Sequence, residues 1–282
     1  MSTMYAARLA NTMRVRAFIG KSNQVAQLNA MSVDQDNSLK GKYALVTGSA
    51  RRIGAAIAQR LHAEGANLAI HYRNSKSEAA EFCDRLNAIR TDSARLFQAD
   101  LGVGSELIAL LDAVVEWSGR LDILINNASS FYSTPLGQIT EKNWSDLVDS
   151  NLKAPLFLSQ AAAPHLQASH GSIINIVDIH AYRPLREHAV YGAAKAGLVM
   201  LTRSLAKDLA PEIRVNGVAP GAISWPENGI EDSVKQDILR QIPLQRTGAP
   251  EDIAGCVVYL VRDATYVTGQ IIAVDGGRSL GW

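Results

Sequence analysis

Short, almost wholly apolar segments alternate with longer segments of helical periodicity from Lys42 onward. The apolar segments are 43–47, 67–72, 94–98, 121–126, 172–177, 214–218 and 271–274. Apolar residues recur with helical spacing in the intervening segments, such as 53–64, 77–89, 105–117 and 191–210. Strands that are apolar on both faces and separated by helices predict a parallel sheet with helices on each side. We therefore predict one doubly wound α/β domain of Rossmann type over 41–282, with about seven strands.

The first 40 residues have a different composition. Residues 1–33 lack Asp and Glu, are rich in Ser, Thr and Ala, and contain the basic residues Arg8, Arg14, Arg16 and Lys21. This composition is typical of an organelle-targeting peptide. The alternative is an upstream extension ahead of a later start at Met13 or Met31. In either case we expect 1–40 to be a disordered extension outside the fold.

Charge and cysteine content exclude several classes of function. The net charge is +1, which gives no indication of a nucleic-acid or anionic-membrane partner. No apolar run approaches the roughly 18 residues of a membrane-spanning helix. Cys83 and Cys256 lie far apart with no histidine cluster near them, so we predict no metal site and no disulfide. This usage favours a reducing compartment, and we expect a cytoplasmic location.

A glycine-bearing turn joins the first predicted strand to the first predicted helix. It runs from Thr47 to Gly54 and includes Gly48. Such a turn lets backbone N–H groups approach a pyrophosphate, and the positive end of the helix faces the same anion. A glycine turn alone can be only a tight turn, but here both flanking elements are predicted. The turn therefore indicates a dinucleotide site.

The end of the second predicted strand indicates which dinucleotide binds. After His71 and Tyr72 it has Arg73 and Ser75, and no acid that could bond the ribose 2′-OH of NAD. Arg73 and Ser75, assisted by Arg51, can hold a 2′-phosphate through charge-assisted hydrogen bonds, although Arg73 could also be only a solvated charge. We therefore predict NADPH/NADP as the cofactor. Two further segments are expected in the groove, namely Asp100 against the adenine and Asn126-Asn127-Ala128 along the cofactor.

Tyr191 and Lys195 lie four residues apart at the start of a predicted helix, so their side chains share one face. An ammonium near a phenol lowers the tyrosine pKa from about 10. Such a tyrosine can donate a proton to a substrate while the nicotinamide donates a hydride. The spacing is common by chance, and its position after the strand that leads into Asp178 is what makes it informative.

From about Leu39 onward the chain resembles the short-chain dehydrogenase/reductase superfamily. The resemblance rests on the glycine turn, Asn126-Asn127-Ala128, Asn151, Tyr191 with Lys195, and Pro220-Gly221. It implies the fold, the dinucleotide and hydride transfer, with Lys195 holding the nicotinamide ribose. It also implies that Asn151 holds a water and positions Lys195. Homotetramers are usual in this superfamily, so further copies of the chain are the expected protein partners.

Two departures from the common pattern resemble one subgroup, the pteridine reductases. Arg52 stands in place of the middle glycine of the turn, and Asp178 in place of the serine that usually assists the tyrosine. The segments 71–73, 127–132, 174–178 and 274–280 also match that subgroup. The resemblance implies a small-molecule pterin stacked between the nicotinamide and Phe131, with Arg52 and Ser129 at its rim. Phe131 could instead be ordinary core, and Arg52 could bind phosphate only.

The resemblance suggests how the predicted site works. We expect Tyr191 to protonate the pterin when its 7,8-bond is reduced, with Asp178 polarising Tyr191 in that step. Asp178 would itself be the acid when the 5,6-bond is reduced, although it could be only a helix or loop cap. Trp225, in the loop after Pro220-Gly221, is expected to help select the substrate or to pack against the domain.

The predicted residues form three groups. The catalytic group is Asn151, Asp178, Tyr191 and Lys195. The cofactor-binding group is Gly48, Arg51, Arg52, Ile53, Gly54, Tyr72, Arg73, Asn74, Ser75, Asp100, Leu101, Asn127, Ala128, Ser129, Tyr191, Lys195, Pro220 and Gly221. The substrate-binding group is Arg52, Ser129, Phe131, Asp178, Tyr191 and Trp225. A carbonyl reductase, such as a 3-oxoacyl thioester reductase, and a catalytically idle dinucleotide sensor are the alternative functions.

Overall fold

The computed structural model describes residues 39–225 and 231–281. The extension predicted at 1–40 therefore lies outside the described residues, except for its last two positions. Leu39 is 6% exposed within the hydrophobic core, and its N–H donates to the carbonyl of Glu64. Leu39 and Lys40 thus belong to the folded domain rather than to an extension.

Seven strands form one parallel sheet in the order β3-β2-β1-β4-β5-β6-β7. They are β1 Tyr43–Val46, β2 Asn67–Tyr72, β3 Ala94–Gln98, β4 Ile123–Asn126, β5 Ser172–Ile176, β6 Arg214–Pro220 and β7 Ile271–Val274. The predicted fold class and strand number are confirmed. The strand order reverses between β1 and β4, and this switch point is where open parallel sheets bind their ligands.

Helices connect the strands. They are α1 Arg52–Ala63, α2 Lys76–Ile89, α3 Gly104–Ser118, α4 Glu141–Val148, α5 Ala154–Ser169, α6 Ala189–Asp208, α7 Asp232–Arg240 and α8 Pro250–Val258. A π-helical turn, Asp149–Lys153, joins α4 to α5, and a short 3₁₀ helix, Ile179–Ala181, follows β5. Of these described helices, none is long and apolar enough to cross a membrane.

Both faces of the sheet are buried, which explains the continuous apolar strands. Val46 packs on one face in a cluster that includes Ile57 of α1 and Val257 of α8. Its neighbour Leu45 packs on the opposite face in a cluster that includes Leu158 of α5. Successive strand residues therefore serve opposite cores. The two layers of helices leave the carboxyl ends of the strands free to form a site.

Candidate active site

The glycine turn depends on close backbone approach at two positions. Gly48 has φ +62°, and a Cβ there would lie 3.0 Å from Cα of Ala128. A Cβ on Gly54 would lie 2.3 Å from the carbonyl oxygen of Gly48 and 2.5 Å from Nδ2 of Asn127. That amide donates to the carbonyls of Thr47 and Gly48 at 2.8 and 3.1 Å. Only glycine fits either position, so the turn is held tightly against the end of β4.

Arg52 begins α1 in an unusual backbone conformation. Its φ is +53°, a region that costs a non-glycine L-residue roughly 1–2 kcal/mol. The side chains of Arg51 and Arg52 are exposed and have no hydrogen bond or ion pair within residues 39–225 and 231–281. Both residues line a cavity. Backbone strain together with unpaired guanidinium groups is typical of a ligand-binding turn.

A cavity of about 660 Å³ lies at the carboxyl ends of β1 to β4. Its lining includes most of the predicted cofactor-binding residues, namely Gly48, Arg51, Arg52, Ile53, Gly54, Tyr72, Arg73, Asn74, Ser75, Asp100, Leu101, Asn127, Ala128 and Ser129. Tyr191, Lys195, Pro220 and Gly221 are not in that lining. The volume lies in the usual range for cofactor pockets. A helix N-terminus, three arginines and close backbone approach together fit a phosphate-bearing dinucleotide.

Arg73 and Asp100 line the same part of this cavity. Nη1 of Arg73 lies 3.9 Å from Oδ2 of Asp100, and both side chains are about half exposed. At that distance and exposure the pair is weak. The Arg73 guanidinium therefore stays accessible to an anion. The residue directly after Tyr72, where β2 ends, is Arg73 and not an acid.

Tyr191 and Asp178 are in direct contact. The Tyr191 hydroxyl donates to Oδ2 of Asp178 at 2.7 Å, and Tyr191 is 4% exposed. Oδ1 of the same carboxylate accepts from the N–H of His180 at 2.8 Å, which caps the 3₁₀ helix after β5. Asp178 thus has both roles that the sequence allowed, the cap and the partner of the tyrosine.

Lys195 lies one helical turn after Tyr191 and is 2% exposed. Its Nζ donates to the carbonyl of Ile176 at 2.9 Å and lies 5.8 Å from the centre of the Tyr191 ring. Burial lowers the pKa of Lys195 to about 8, against an opposing effect of Asp178. The two side chains share a face as predicted, but the ammonium is bound to a backbone carbonyl rather than to the phenol.

The expectation that Lys195 lowers the tyrosine pKa is wrong for this arrangement. Burial, followed by the Asp178 carboxylate, raises the pKa of Tyr191 well above its usual value, while the side chain of Ser129 opposes the shift. The carboxylate faces the hydroxyl, whereas the ammonium lies near the ring. The phenol is consequently protonated throughout the neutral range, as a proton donor must be.

Asn151 occupies the π-helical turn and is 1% exposed. Its Nδ2 donates to the carbonyls of Ser130 and Leu147 at 2.8 and 2.9 Å, and its Oδ1 accepts from the Ser129 hydroxyl at 2.6 Å. Within the described part of the chain it has no hydrogen bond to Lys195. Its predicted role of holding a water and positioning Lys195 stays a prediction, and in the structure Asn151 holds the Ser129–Ser130 loop. Such π-turns are frequent at functional sites.

Phe131 lies at the mouth of the site with 55% of its surface exposed. Its ring meets the Tyr191 ring edge-to-face, with centroids 4.8 Å apart. It also stacks on the His188 imidazole at 4.8 Å and 20°. Phe131 is therefore not an ordinary core residue, because a large apolar side chain stays exposed beside the proton donor.

The loop after Pro220-Gly221, in which Trp225 lies, is described only up to Trp225. Gly221 follows β6, where a Cβ would lie 2.6 Å from Cβ of Asp275. Trp225 is partly buried, and no hydrogen bond or ring contact links it to Tyr191 or Asp178 in the described ranges. The residues that follow it, 226–230, lie outside the described structure. Its predicted role in substrate selection stays a prediction.

Two histidines at the site received no role from the sequence. His188 stacks on Phe131, and its position three residues before Tyr191, on the same helical face, was the available signal. His71 accepts a hydrogen bond from the N–H of Gly48 at its Nδ1 over 3.0 Å. A buried histidine in an apolar strand was the signal there, because such a side chain needs polar partners.

Comparison with known proteins agrees on the family and differs on the substrate. The family model described as "Enoyl-(Acyl carrier protein) reductase" matches residues 48–279. Pteridine reductase 1 of Leishmania tarentolae is 39% identical over an alignment of 278 residues. The match covers 84% of this chain and 96% of that protein. The 3-oxoacyl-[acyl-carrier-protein] reductase FabG of Staphylococcus aureus (strain Mu50 / ATCC 700699) is 40% identical over 240 residues, covering 84% and 97%.

A solved structure supports the same assignment. A crystal structure from Sinorhizobium meliloti 1021, described as a short-chain alcohol dehydrogenase, has a TM-score of 0.83 and 33% identity. The match covers 88% of this chain and 100% of that one. The chain belongs to the short-chain dehydrogenase/reductase superfamily. It is an oxidoreductase that uses NAD(P)H.

The chemistry of the site follows from these contacts. A nicotinamide dinucleotide in the cavity would supply the hydride. Tyr191 holds a proton on its hydroxyl, and Asp178 holds that hydroxyl in place. Lys195 provides a buried cation one turn away. The chain's own contribution is thus a fixed, protonated phenol in contact with a carboxylate, which suits proton delivery to a substrate that receives a hydride.

Proposed function

We propose that this protein is an NADPH-dependent pteridine reductase that reduces the C=N bonds of pterins or dihydropterins. The observation that carries the proposal is the 2.7 Å hydrogen bond between the Tyr191 hydroxyl and Asp178. A C=N reduction must place a proton on nitrogen. A carboxyl group can hold and transfer a proton, whereas the serine usual at this position supplies only a neutral hydroxyl.

The aromatic environment of Tyr191 supports a flat heterocyclic substrate. Phe131 is exposed beside the proton donor, and its ring lies 4.8 Å from the centre of Tyr191. Exposing an apolar ring costs hydrophobic free energy, which a stacked pterin would recover. Arg52, which has no hydrogen bond or ion pair within the described residues, lines the same cavity as Ser129. We propose that these two side chains bond the polar rim of the pterin.

We propose the following proton routes. Tyr191 donates its hydroxyl proton to the ring nitrogen when the 7,8-bond is reduced, and its contact with Asp178 orients and polarises the hydroxyl. When the 5,6-bond is reduced, Asp178 acts in its protonated form: it gives its carboxyl proton to the ring nitrogen and takes up another from solvent afterwards. Lys195, whose Nζ lies 5.8 Å from the centre of the Tyr191 ring, is the nearest cation in the same helix and would hold the nicotinamide ribose.

The charges around the cavity favour the phosphorylated dinucleotide. Arg51, Arg52 and Arg73 line it together with Ser75, and the only carboxylate within 4.0 Å of these guanidinium groups is Asp100, in the part of the chain described here. A 2′-phosphate would find charge-assisted donors there. We expect KM for NADPH to be at least about tenfold lower than for NADH, as one or two such bonds suggest.

The decisive experiment is steady-state kinetics with a panel of substrates. Biopterin, dihydrobiopterin and dihydrofolate are compared with an acetoacetyl thioester, each with NADPH and with NADH. Turnover of a pterin with NADPH supports the proposal. Turnover of the thioester alone refutes it, and tight NADPH binding without turnover of any substrate would indicate a dinucleotide sensor.

The second candidate is an NADPH-dependent carbonyl reductase for 3-oxoacyl thioesters. The FabG relatives, 40% identical over most of the chain, favour it. Asp178 and Arg52 argue against it, because they replace the serine and the glycine that are usual at these two positions in the superfamily. The same kinetic panel separates the two candidates.

Assembly and location complete the proposal. We propose a homotetramer whose interfaces include α6 and α8, where Met200 is 61% exposed and Tyr259, just after α8, is 48% exposed. The C-terminal residues 279–281 would approach a neighbouring site, and Trp282, which the sequence also suggests there, lies outside the described residues. A mass near that of one chain in size-exclusion chromatography with light scattering would contradict this. We propose a cytoplasmic location, consistent with the free cysteines Cys83 and Cys256.

A further inference from the structure

His71 is a buried polar residue at the end of β2, with 2% of its surface exposed. Its Nδ1 accepts a hydrogen bond from the N–H of Gly48 at 3.0 Å. Its Nε2 lies 3.1 Å from the carbonyl oxygen of Ala99. One imidazole therefore connects the glycine turn after β1 with the loop after β3. It does so from β2, the strand that lies between them in the sheet.

The backbone of His71 makes further contacts with the glycine turn. Its N–H donates to Oγ of Ser49 at 3.1 Å, and its carbonyl accepts from the N–H of Ser49 at 3.0 Å. Ser49 is fully buried. Side chain and backbone of His71 thus bind two successive residues of the turn, Gly48 and Ser49. The bond to Nδ1 also turns the N–H of Gly48 inward, which sets the orientation of that peptide.

The contacts require the neutral imidazole with its proton on Nε2. A backbone N–H can only donate, so Nδ1 carries no proton, and a carbonyl can only accept, so Nε2 does. Burial lowers the pKa of His71 to about 4. The charged groups nearest to it, Asp100 and Arg73, act in opposite directions on that pKa. Few other side chains offer a donor and an acceptor on one small rigid ring.

His71 also adjoins three of the segments that line the cofactor cavity. Tyr72 and Arg73 follow it directly, Gly48 and Ala99 are its partners, and Asp100 follows Ala99. We propose that His71 is a positioning residue, which holds the glycine turn, the end of β2 and the loop after β3 in the geometry that binds the adenosine and pyrophosphate half of the dinucleotide. The inference rests on the dinucleotide site and is independent of the pterin substrate.

Binding of a cofactor fragment tests this directly. The variants are His71→Phe, which keeps a ring but removes both hydrogen bonds, and His71→Gln, whose amide can donate and accept. The control is His62→Phe. His62 is equally buried at 2% and bonds Oγ of Ser93 at 2.7 Å, but it lies outside the cofactor lining. Dissociation constants for NADPH and for adenosine 2′,5′-bisphosphate are measured by calorimetry, together with kcat at saturating NADPH and Tm.

We expect His71→Phe to weaken both NADPH and the fragment by about tenfold or more, as the loss of two neutral hydrogen bonds implies. At saturating NADPH, kcat should stay within about threefold, because the reacting half of the site is untouched. His71→Gln should recover part of the affinity, and it serves as the test variant if His71→Phe does not fold. His62→Phe should lower Tm while leaving both dissociation constants within about twofold.

Three outcomes would overturn the proposal. One is unchanged affinity in both His71 variants. Another is an equal loss of affinity in His62→Phe at a similar loss of Tm, which would show only a general effect of destabilisation. The third is a fall in kcat with unchanged affinity. Failure of the wild-type protein to bind NADPH would refute the dinucleotide site itself, whereas binding without pterin turnover would refute only the proposed substrate.

Discussion

The Tyr191 hydroxyl donates to Oδ2 of Asp178 over 2.7 Å, while Oδ1 of the same carboxylate holds the N–H of His180 at 2.8 Å. The cap fixes the carboxylate in the orientation that meets the phenol. A local structural role and a chemical role are therefore carried by one side chain. The two roles can be separated experimentally, because only the second requires an ionisable group.

Asp178→Asn should retain the cap of the 3₁₀ helix after β5 and lose the ionisable carboxyl group. The side-chain carbonyl oxygen of the introduced asparagine can still accept from His180, so Tm should change little, whereas the proton route is removed. We expect kcat for pterin reduction at saturating NADPH to fall by about 100-fold or more, as is usual when a general acid is lost. Stopped-flow and steady-state kinetics with dihydrobiopterin measure this.

Asp178→Ala is the matched variant, because it removes both roles. It should lose similar activity and also about 1 kcal/mol of stability with the cap. A pterin kcat within a few-fold of wild type in Asp178→Asn would show that Asp178 is not a catalytic group.

Arg52→Gly should separate backbone strain from ligand binding. Glycine adopts the +53° φ at no steric cost, which gains roughly 1–2 kcal/mol and offsets the larger unfolded-state entropy of glycine. We expect Tm to be unchanged or higher. The loss of the guanidinium should raise KM for both NADPH and pterin by about tenfold. Equal kinetics in wild type and variant would mean that Arg52 contacts neither ligand.

Phe131→Leu should weaken pterin binding without affecting the dinucleotide. The substitution keeps an apolar side chain at an exposed site but removes the ring that stacks on His188 and meets Tyr191. Stacking is worth about 0.5–1.5 kcal/mol beyond burial, so KM for pterin should rise by about threefold to tenfold. KM for NADPH should stay constant. A rise in KM for NADPH alone would place Phe131 against the cofactor instead.

The fold could be predicted because its signals are local. The inner strands are covered on both faces and are therefore largely apolar, and the predicted bounds of segments such as β2 and β7 were the observed ones. β4 starts later than predicted, at Ile123, and the carboxylate of the preceding Asp122 binds Lys42, Arg120 and the N–H of Tyr43. β6 extends to Pro220, because Pro220 still pairs with Val274 of β7.

The composition of the site could also be predicted, but its electrostatics could not. The spacing of Tyr191 and Lys195 predicted that they share one face of the helix. Only the folded structure shows that the Lys195 ammonium bonds the Ile176 carbonyl while the Asp178 carboxylate faces the phenol. The direction of the Tyr191 pKa shift depends on which of these two charged groups lies closer to the phenol hydroxyl. Asn151 was likewise identified from a motif, whereas its contacts with Ser129 and Ser130 depend on the π-helical turn in which Asn151 lies, and no sequence pattern predicts that turn.

Gly54→Ala should abolish dinucleotide binding. The new Cβ would lie 2.3 Å from a backbone oxygen that cannot move without opening the turn. We expect loss of measurable NADPH affinity and a drop in Tm of several degrees, as is usual for overpacking of about 1–3 kcal/mol. Gly104→Ala is the control, because a Cβ there meets nothing within 4 Å. Similar effects in both variants would show that loss of glycine in general, and not the contact, is responsible.

The neutral state of His71 predicts a loss of stability in mild acid. Its pKa is about 4 in the folded protein and 6.5 as the ordinary value, so the unfolded chain binds a proton between these values that the folded protein does not. The stability due to neutral His71 is thus fully present above pH 6.5 and is lost as the pH falls to about 4. The shift corresponds to at most about 3 kcal/mol.

Denaturant unfolding of wild type and His71→Gln between about pH 7 and about pH 4.5 measures this contribution. Wild type should lose more of its free energy of unfolding over the range than the variant, which has no group to protonate at this position. Burial also lowers the pKa of His62, and that effect is common to both proteins and cancels in the difference. Parallel curves for the two proteins would mean that His71 carries its proton in the folded state or that Asp100 compensates it fully. In either case the hydrogen bond from Gly48 to Nδ1 could not be a fixed feature of the turn.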